Sequence, residues 1–129
     1  MQPLDKIEVL KQREIILNTI RRFLKMRKFV EVSTPILVEF ASGSEGAQPI
    51  EVNINVSNKY LRTCPEVELK KLVGMGLNRV FEIGKSFRRE VEDNTHLTEF
   101  TTMEMYHTNI TLSDMLGKVI RLLGDLNPK

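Results

Sequence analysis

The stretch RVFEIGKSFRREVEDNTHLTEFTTMEMYHT, residues 79–108, decides the fold of this chain. It begins with an alternating apolar run, passes through a polar segment and ends with a second alternating run at 99–108. Successive side chains of a strand point to opposite faces, so each run predicts a β-strand. Two strands joined by a polar loop at 91–98 predict an antiparallel hairpin.

The charged side chains of this hairpin fall on particular faces of its strands. Alternation places Arg88 and Glu90 on one face of the first strand. It places Phe100, Glu104 and Tyr106 together on one face of the second. If the two faces coincide, one interpretation is an exposed surface with cross-strand ion pairs. The other is a site for a ligand with a flat ring, a phosphate and a cationic group.

The flanking segments complete an α+β pattern. Apolar residues recur at helical spacing in 5–27, 66–75 and 111–124, which predicts three helices. Asp5 is interpreted as the N-cap or a first-turn acid of the first helix, and Thr111 as the cap of the last. Short alternating runs between the first two helices predict further strands at 29–32, 36–38, 50–56 and 59–62, with a turn at 57–58. This order predicts an antiparallel β-sheet flanked by helices.

The apolar stripes of the predicted helices indicate their inward faces. In the first helix the stripe is Ile7, Leu10, Leu17, Ile20, Phe23 and Leu24. In the second it is Val67, Leu69, Leu72 and Val73. In the third it is Leu112, Met115, Leu116, Val119, Ile120 and Leu123.

Composition excludes several classes of protein. The 129 residues are 41% hydrophobic and 28% charged, which predicts one globular domain over 1–129. We find no signal peptide and no apolar run near 18 residues, so we expect no membrane partner and a cytoplasmic location. The single cysteine, Cys64, cannot form a disulfide within the chain and is interpreted as a packing residue.

A basic cluster lies near the end of the first predicted helix. Its members are Arg21, Arg22, Lys25, Arg27 and Lys28. Cations are favourable at a helix C-terminus, where the backbone carbonyls concentrate negative charge. The same side chains could contact a phosphate backbone. The net charge of +2 is too small to decide between the two.

Three segments resemble class II aminoacyl-tRNA synthetases. FEIGKSFRRE at 81–90, followed by HLTEFTTMEMY at 96–106, resembles motif 2, which would span about 79–108. KMRKFVEVSTPIL at 25–37 resembles motif 1, about 15–38, whose helix, strand and proline serve the dimer interface in that family. The segment at 60–88 is similar to the connector of subclass IIb, which contains the lysyl, aspartyl and asparaginyl enzymes. The resemblance covers roughly residues 15–125.

Within the subclass the resemblance is greatest to the lysyl enzymes. YLR-x-x-PE-x-x-LK at 60–70 and MEMY at 103–106 are the segments that favour them. HLTEF at 96–100 is closer to the loop of the aspartyl and pyrrolysyl enzymes. Thr95 stands where the lysyl enzymes usually have an arginine.

The resemblance implies ATP-dependent activation of an amino acid, lysine by these motifs, and transfer to the 3′ end of tRNA. Arg88 would be the catalytic residue, bridging the amino-acid carboxylate and the α-phosphate of ATP. Glu90 would read the adenine amino group, and Phe100 would stack on the adenine. His96 would lie near the outer phosphates.

The same resemblance assigns the amino-acid side of the site. Glu66 would hold the α-amino group, and Glu104 and Tyr106 would receive the lysine ammonium. The Gly- and Ser-rich segment 41–48 would close over the amino acid as a lid. His107 falls on the opposite face from Glu104 and is interpreted as structural.

No Gly-x-Gly-x-x-x-Arg of motif 3 occurs in the chain, and the family's metal ligands that precede it are absent. We therefore expect a core reduced to motifs 1 and 2, similar to the minimal cores called urzymes, with lowered activity and Mg²⁺ bound to the nucleotide. A homodimer through motif 1 is expected from the family. Two alternatives stay open: a ligase that aminoacylates a protein or another acceptor, and a non-catalytic fragment that dimerises or binds nucleotides.

Overall fold

The computed structural model describes residues 5–40, 47–55, 57–89 and 93–127. They form an α+β fold, as the sequence predicts. The helices are α1 (Lys6–Met26), α2 (Glu66–Gly74) and α3 (Leu112–Leu126). The strands are β1 (Val30–Glu31), β2 (Leu37–Val38), β3 (Ile50–Ile54), β4 (Ser57–Leu61), β5 (Arg79–Phe87) and β6 (Glu99–His107).

The chain divides into two compact units. Unit 1 comprises 1–30 and 109–129, and unit 2 comprises 31–108. Within unit 1, α1 contacts α3. Within unit 2, α2 packs against both β5 and β6.

The caps of α1 and α3 are the predicted ones. The carboxylate of Asp5 accepts a hydrogen bond from the backbone N–H of Ile7. At α3, the Thr111 hydroxyl accepts from the N–H of Asp114, and the Asp114 carboxylate accepts from the N–H of Thr111. This reciprocal pair occupies N–H groups that have no partner inside the helix.

The predicted hairpin is the centre of unit 2. β5 and β6 pair antiparallel from Arg79 opposite His107 to Phe87 opposite Glu99. β5 is the middle strand of a sheet in the order β1–β5–β6. A second sheet has the order β2–β4–β3. Both sheet faces of β5 are buried, as Val80 and Phe81 show.

Several strands are shorter than predicted. The strand expected at 29–32 is reduced to Val30–Glu31, and the one expected to reach residue 90 ends at Phe87. The turn predicted at 57–58 is wrong, because Ser57 begins β4. The chain leaves β3 at Asn55, whose φ of 55° lies in the left-handed region that asparagine tolerates.

The helical stripes were less well predicted than the helices themselves. Val67 was expected to point inward but is 44% exposed, and Leu69 is the buried residue of α2. The buried residue of α3 is Leu122, outside the predicted stripe. Exposed members of the predicted stripes are Ile7, Leu10, Leu112, Leu116, Ile120 and Leu123. Periodicity identifies an apolar face, but it does not say what covers that face.

A buried ion pair joins the segments around the hairpin. Arg62 is 2% exposed and Glu82 is 3% exposed, and Nη2 of Arg62 lies 2.7 Å from Oε1 of Glu82. The Nε of Arg62 donates to the Lys85 carbonyl at 2.9 Å. Its Nη1 donates to the Thr34 hydroxyl at 2.8 Å. These bonds hold three separate segments of unit 2 in register.

Gly84 is required by this ion pair. A Cβ at Gly84 would overlap Nη2 of Arg62 and lie 2.9 Å from Oε1 of Glu82. Gly84→Ala is therefore expected to lower the free energy of unfolding by about 3 kcal/mol, because it displaces a packed and charged pair. Urea unfolding measures the change.

Gly74→Ala, in α2 of the same unit, is the matched control. No atom lies within 4 Å of a Cβ added there, so the substitution should be neutral or stabilise by up to about 1 kcal/mol. Equal urea midpoints of unfolding for Gly84→Ala and the parent would contradict the steric argument.

Candidate functional site

The strand register brings the chemistry-bearing residues of the hairpin onto one face. Glu82 lies directly opposite Glu104, and Ser86 lies directly opposite Phe100. Tyr106 follows Glu104 at the next position of that face, since side chains two apart point the same way. The two faces therefore coincide along the paired strands. Arg88 comes directly after the last paired residue of β5.

Arg88 has the geometry of a residue prepared for a ligand. Its backbone N–H donates to the Thr98 carbonyl at 3.0 Å, which continues the hairpin pairing beyond the strand ends. Its guanidinium carbon lies 5.2 Å from the centre of the Phe100 ring, within cation–π range. Its Nε is buried and has no hydrogen-bond partner among the described residues. Buried donors are normally satisfied, which makes Arg88 a candidate for contact with a ligand.

The middle of this face carries small side chains. Gly84 pairs with Thr102, and Ser86 and Thr102 share a hydrogen bond of 3.0 Å between their hydroxyls. The phenyl ring and Arg88 lie towards the loop end of the hairpin, and Glu104 lies towards the other end. Gly84, Ser86 and Thr102 therefore separate an aromatic, cationic end of this face from an acidic one.

The acidic end is formed by Glu104 and Tyr106. The hydroxyl of Tyr106 donates to Oε2 of Glu104 at 3.3 Å. Burial raises the pKa of Tyr106 well above its usual value, and the charges of Glu104 and Glu66 raise it further. Tyr106 is consequently a hydrogen-bond donor throughout the physiological range.

Three carboxylates lie close together here, and we call Glu66, Glu82 and Glu104 the acidic cluster. Burial is the largest cause of the raised pKa of Glu104. The charges of Glu66 and Glu82 also raise this pKa, whereas the hydrogen bond from Tyr106 and the charge of Arg62 lower it. The cluster thus has an excess of negative charge, which suits an ammonium ligand.

Glu66 already holds an ammonium. It is the first residue of α2, and its Oε1 lies 2.5 Å from the Nζ of Lys70 one helical turn later. The hydrogen bond with Glu66 is the main reason that the pKa of Lys70 is raised. A ligand ammonium at Glu66 would compete with this exposed intrahelical pair, which is weak.

Comparisons with known proteins identify the family of this chain. Residues 4–126 match the family described as tRNA synthetases class II (D, K and N). The chain belongs to this class II tRNA synthetase family. It is 40% identical over 124 residues to lysine–tRNA ligase 2 of Methanosarcina acetivorans, covering 95% of this chain and 24% of that protein.

Two further relatives are also lysine–tRNA ligases. The lysine–tRNA ligase of Thermotoga maritima is 40% identical over 95% of this chain and 24% of its own length. The mitochondrial lysine–tRNA ligase of Saccharomyces cerevisiae is 40% identical over 89% of this chain and 20% of its own length. This synthetase-family chain therefore spans about a quarter of the length of these curated relatives.

Two predicted elements of the synthetase site fall wholly or partly outside the described residues. Glu90 is one of them, and residues 41–46 of the expected lid 41–48 are the other.

His96 is described and exposed, in a tight turn where its Nδ1 lies 3.1 Å from the Asp93 carboxylate. Hydrogen bonds from Thr95 and His96 hold the pKa of Asp93 far below its usual value.

His107 lies on the face opposite to Glu104, as its parity predicts. It pairs with Arg79 across the hairpin, and the Nε of Arg79 donates to its Nε2 at 2.8 Å. This bond fixes the imidazole away from the acidic cluster.

The described residues contain no group of three or more His, Cys, Asp or Glu side chains that could hold a metal ion. Within the same residues, no helix combines the length and apolar character needed to cross a membrane.

Sequence reasoning missed the buried Arg62–Glu82 pair. Two signals were present: opposite charges inside otherwise apolar strand sequences, and Gly84 on the same face as Glu82. Neither signal identifies the partner of a buried charge, because residues 62 and 82 are brought together only by the fold.

Glu104→Gln should remove a pH-dependent loss of stability. The raised pKa means that folding favours the protonated form of the Glu104 carboxyl. The parent is therefore most stable below the pKa that Glu104 has in the unfolded chain. Its free energy of unfolding then falls as the pH rises through the folded pKa of Glu104. The variant should gain stability relative to the parent between acid and neutral pH, as urea unfolding at a series of pH values would show.

Glu99→Gln is the control on the same strand. Glu99 is exposed and lies 2.7 Å from Lys85, on the opposite face from Glu104. It should not reproduce the effect. A stability difference between Glu104→Gln and the parent that stays constant with pH would refute the interpretation.

Proposed function

We propose that this chain activates an amino acid with ATP, forming an aminoacyl-adenylate and pyrophosphate, and then transfers the aminoacyl group to tRNA. The buried, unpartnered Nε of Arg88 beside the Phe100 ring is the observation that carries the proposal. Membership of the class II synthetase family supports the same chemistry. The relatives named above are lysine–tRNA ligases, which favours lysine as the amino acid.

The reaction would proceed by displacement at phosphorus. A carboxylate oxygen of the amino acid attacks the α-phosphorus of ATP and forms the mixed anhydride. The bond from this phosphorus to the bridging oxygen breaks, and pyrophosphate leaves with the electron pair. Arg88 would hold both reacting groups and offset the negative charge that develops on the α-phosphate oxygens.

The loop end of the hairpin would bind the nucleotide. The Phe100 ring offers a stacking face for adenine, and the Arg88 guanidinium above it offers its fork to phosphate oxygens. We assign Glu90 to the adenine amino group and His96 to the outer phosphates. Mg²⁺ would enter bound to the ATP phosphates rather than to the protein.

The acidic end would bind lysine. Glu66 would exchange its Lys70 partner for the α-ammonium of the substrate. Glu104 would accept from the side-chain ammonium, and Tyr106 supports this carboxylate with its hydroxyl. A neutral or acidic side chain would leave the half-buried Glu104 without a counter-charge, which is unfavourable.

These residues by themselves should activate the amino acid slowly, since the phosphate clamp of motif 3 has no counterpart among them.

For motif 1 we propose a homodimer, supported by exposed apolar side chains on α1 such as Ile7, Leu10 and Ile16. Sedimentation equilibrium tests it, and a monomer at all concentrations would exclude it.

Pyrophosphate exchange measured with each of the amino acids tests the proposed activity. Lysine should give the fastest exchange, because only its side chain brings an ammonium to Glu104. Parallel assays of transfer to tRNA and to protein acceptors should favour tRNA. The absence of exchange and of an adenylate burst in active-site titration would reduce the chain to a binding fragment.

Arg88→Ala should lower the exchange rate by at least about 100-fold, because the charge opposite the transition state is lost. Arg88→Lys should recover only part of the rate, since an ammonium lacks the planar fork. Arg89→Ala is the matched control: its side chain is exposed, and its backbone N–H donates to the Gln48 carbonyl. An Arg88→Ala variant that exchanges as fast as the parent would exclude the assignment.

A further inference from the structure

The Arg62–Glu82 pair lies on the functional face of the hairpin and has no role in the chemistry above. Glu82 is directly opposite Glu104 in the strand register. Two like charges at directly opposite positions destabilise a sheet. The register therefore places the charge of Glu82, and that of its partner Arg62, beside the carboxylate that would receive the substrate ammonium.

Glu82 itself is not available to a ligand. Its Oε1 accepts from Arg62 at 2.7 Å. Its Oε2 accepts from both the backbone N–H of Thr34 at 3.2 Å and the Thr34 hydroxyl at 2.7 Å. With both oxygens occupied and 3% of the residue exposed, Glu82 acts on its surroundings through its charge.

Arg62 is equally constrained. Its guanidinium donates to the Lys85 carbonyl, to Thr34 and to Glu82, and Gly84 leaves the space that the guanidinium fills. The charge of Arg62 lowers the pKa of Glu104, whereas that of Glu82 raises it. Both buried charges therefore act on the carboxylate that would meet the substrate.

The groups whose charges surround Glu104 come from four elements. Glu66 and Lys70 are on α2, Glu82 is on β5, Arg62 follows β4, and Tyr106 is on β6. The three ionised carboxylates of the acidic cluster and the two cations leave one net negative charge. One cationic side chain would neutralise this excess.

We propose that the buried Arg62–Glu82 pair is a specificity-determining element of the amino-acid site, because it fixes the charge that a cationic side chain meets at Glu104. The pair touches no substrate and acts through Glu104, so Arg62 and Glu82 are positioning residues. The inference rests on the proposed activation of lysine. A buried ion pair with a purely structural role can often be replaced without loss, which makes the two roles separable.

Glu82→Gln keeps the size of the side chain and an acceptor for Thr34 but leaves Arg62 uncompensated. The added positive charge should lower the exchange rate with lysine relative to norleucine, which has the same chain without the ammonium, by about tenfold. Loss of the Glu82 charge also lowers the pKa of Glu104. In a plot of the lysine-dependent exchange rate against pH, the acid limb should therefore move to lower pH.

The double variant Arg62→Met/Glu82→Gln restores the net charge of the parent. Its lysine-to-norleucine ratio should return towards the parental value, although neither original side chain is present. Glu99→Gln, the same substitution on the opposite face of β6, should change neither the ratio nor the acid limb. Circular dichroism establishes that each variant is folded before its kinetics are compared.

The outcomes separate this inference from the proposed function. A parent that does not prefer lysine overturns the proposed lysine activation. Suppose that the parent prefers lysine and that Glu82→Gln is folded. If this variant then has the lysine-to-norleucine ratio and the acid limb of the parent, the inference is wrong. It is also wrong if the double variant keeps the lowered ratio of Glu82→Gln. Should Glu82→Gln not fold, Arg62→Met leaves the charge of Glu82 uncompensated and should raise the lysine-to-norleucine ratio; an unchanged ratio in this variant overturns the inference.

Discussion

The buried ion pair between Arg62 and Glu82 is the constraint on which unit 2 depends. The main chain of Arg62 takes part as well: its N–H donates to the Ile36 carbonyl at 2.9 Å, and its carbonyl accepts from the N–H of Phe87 at 3.0 Å. One residue thus connects the end of β4, the segment before β2 and the end of β5. Removal of either charge would leave the other buried without compensation, which is strongly destabilising.

This constraint explains how the hairpin can carry a site. The ion pair fixes β5 rigidly, and the register of β6 then determines where Phe100, Glu104 and Tyr106 lie. A half-buried Glu104 beside two other carboxylates lowers stability at neutral pH, as its raised pKa indicates. An ammonium ligand at Glu104 would compensate this charge.

The sequence predicted the parts of this structure that depend on neighbours along the chain. Both long strands of the hairpin and the caps Asp5 and Thr111 follow from local patterns. The sequence left open whether the Glu104 face coincides with the face of β5, and the strand register decided that it does. The errors include the inward face of the helices, as at Val67 and Leu122, the lengths of several strands and the turn expected at 57–58. A turn depends on the left-handed conformation of one residue, Asn55, and burial depends on a distant partner. Neither is encoded in periodicity.

By itself, the sequence determined the α+β class, the antiparallel hairpin and the family to which its motifs belong, because alternation, helical spacing and motif order are properties of the chain alone. Only the tertiary structure decided which charges meet. Arg62, Thr34 and Glu82 are far apart in sequence, and their hydrogen bonds exist only where the strands pack. The orphaned Nε of Arg88 was likewise visible only after folding, because an unsatisfied donor is defined by the groups that surround it.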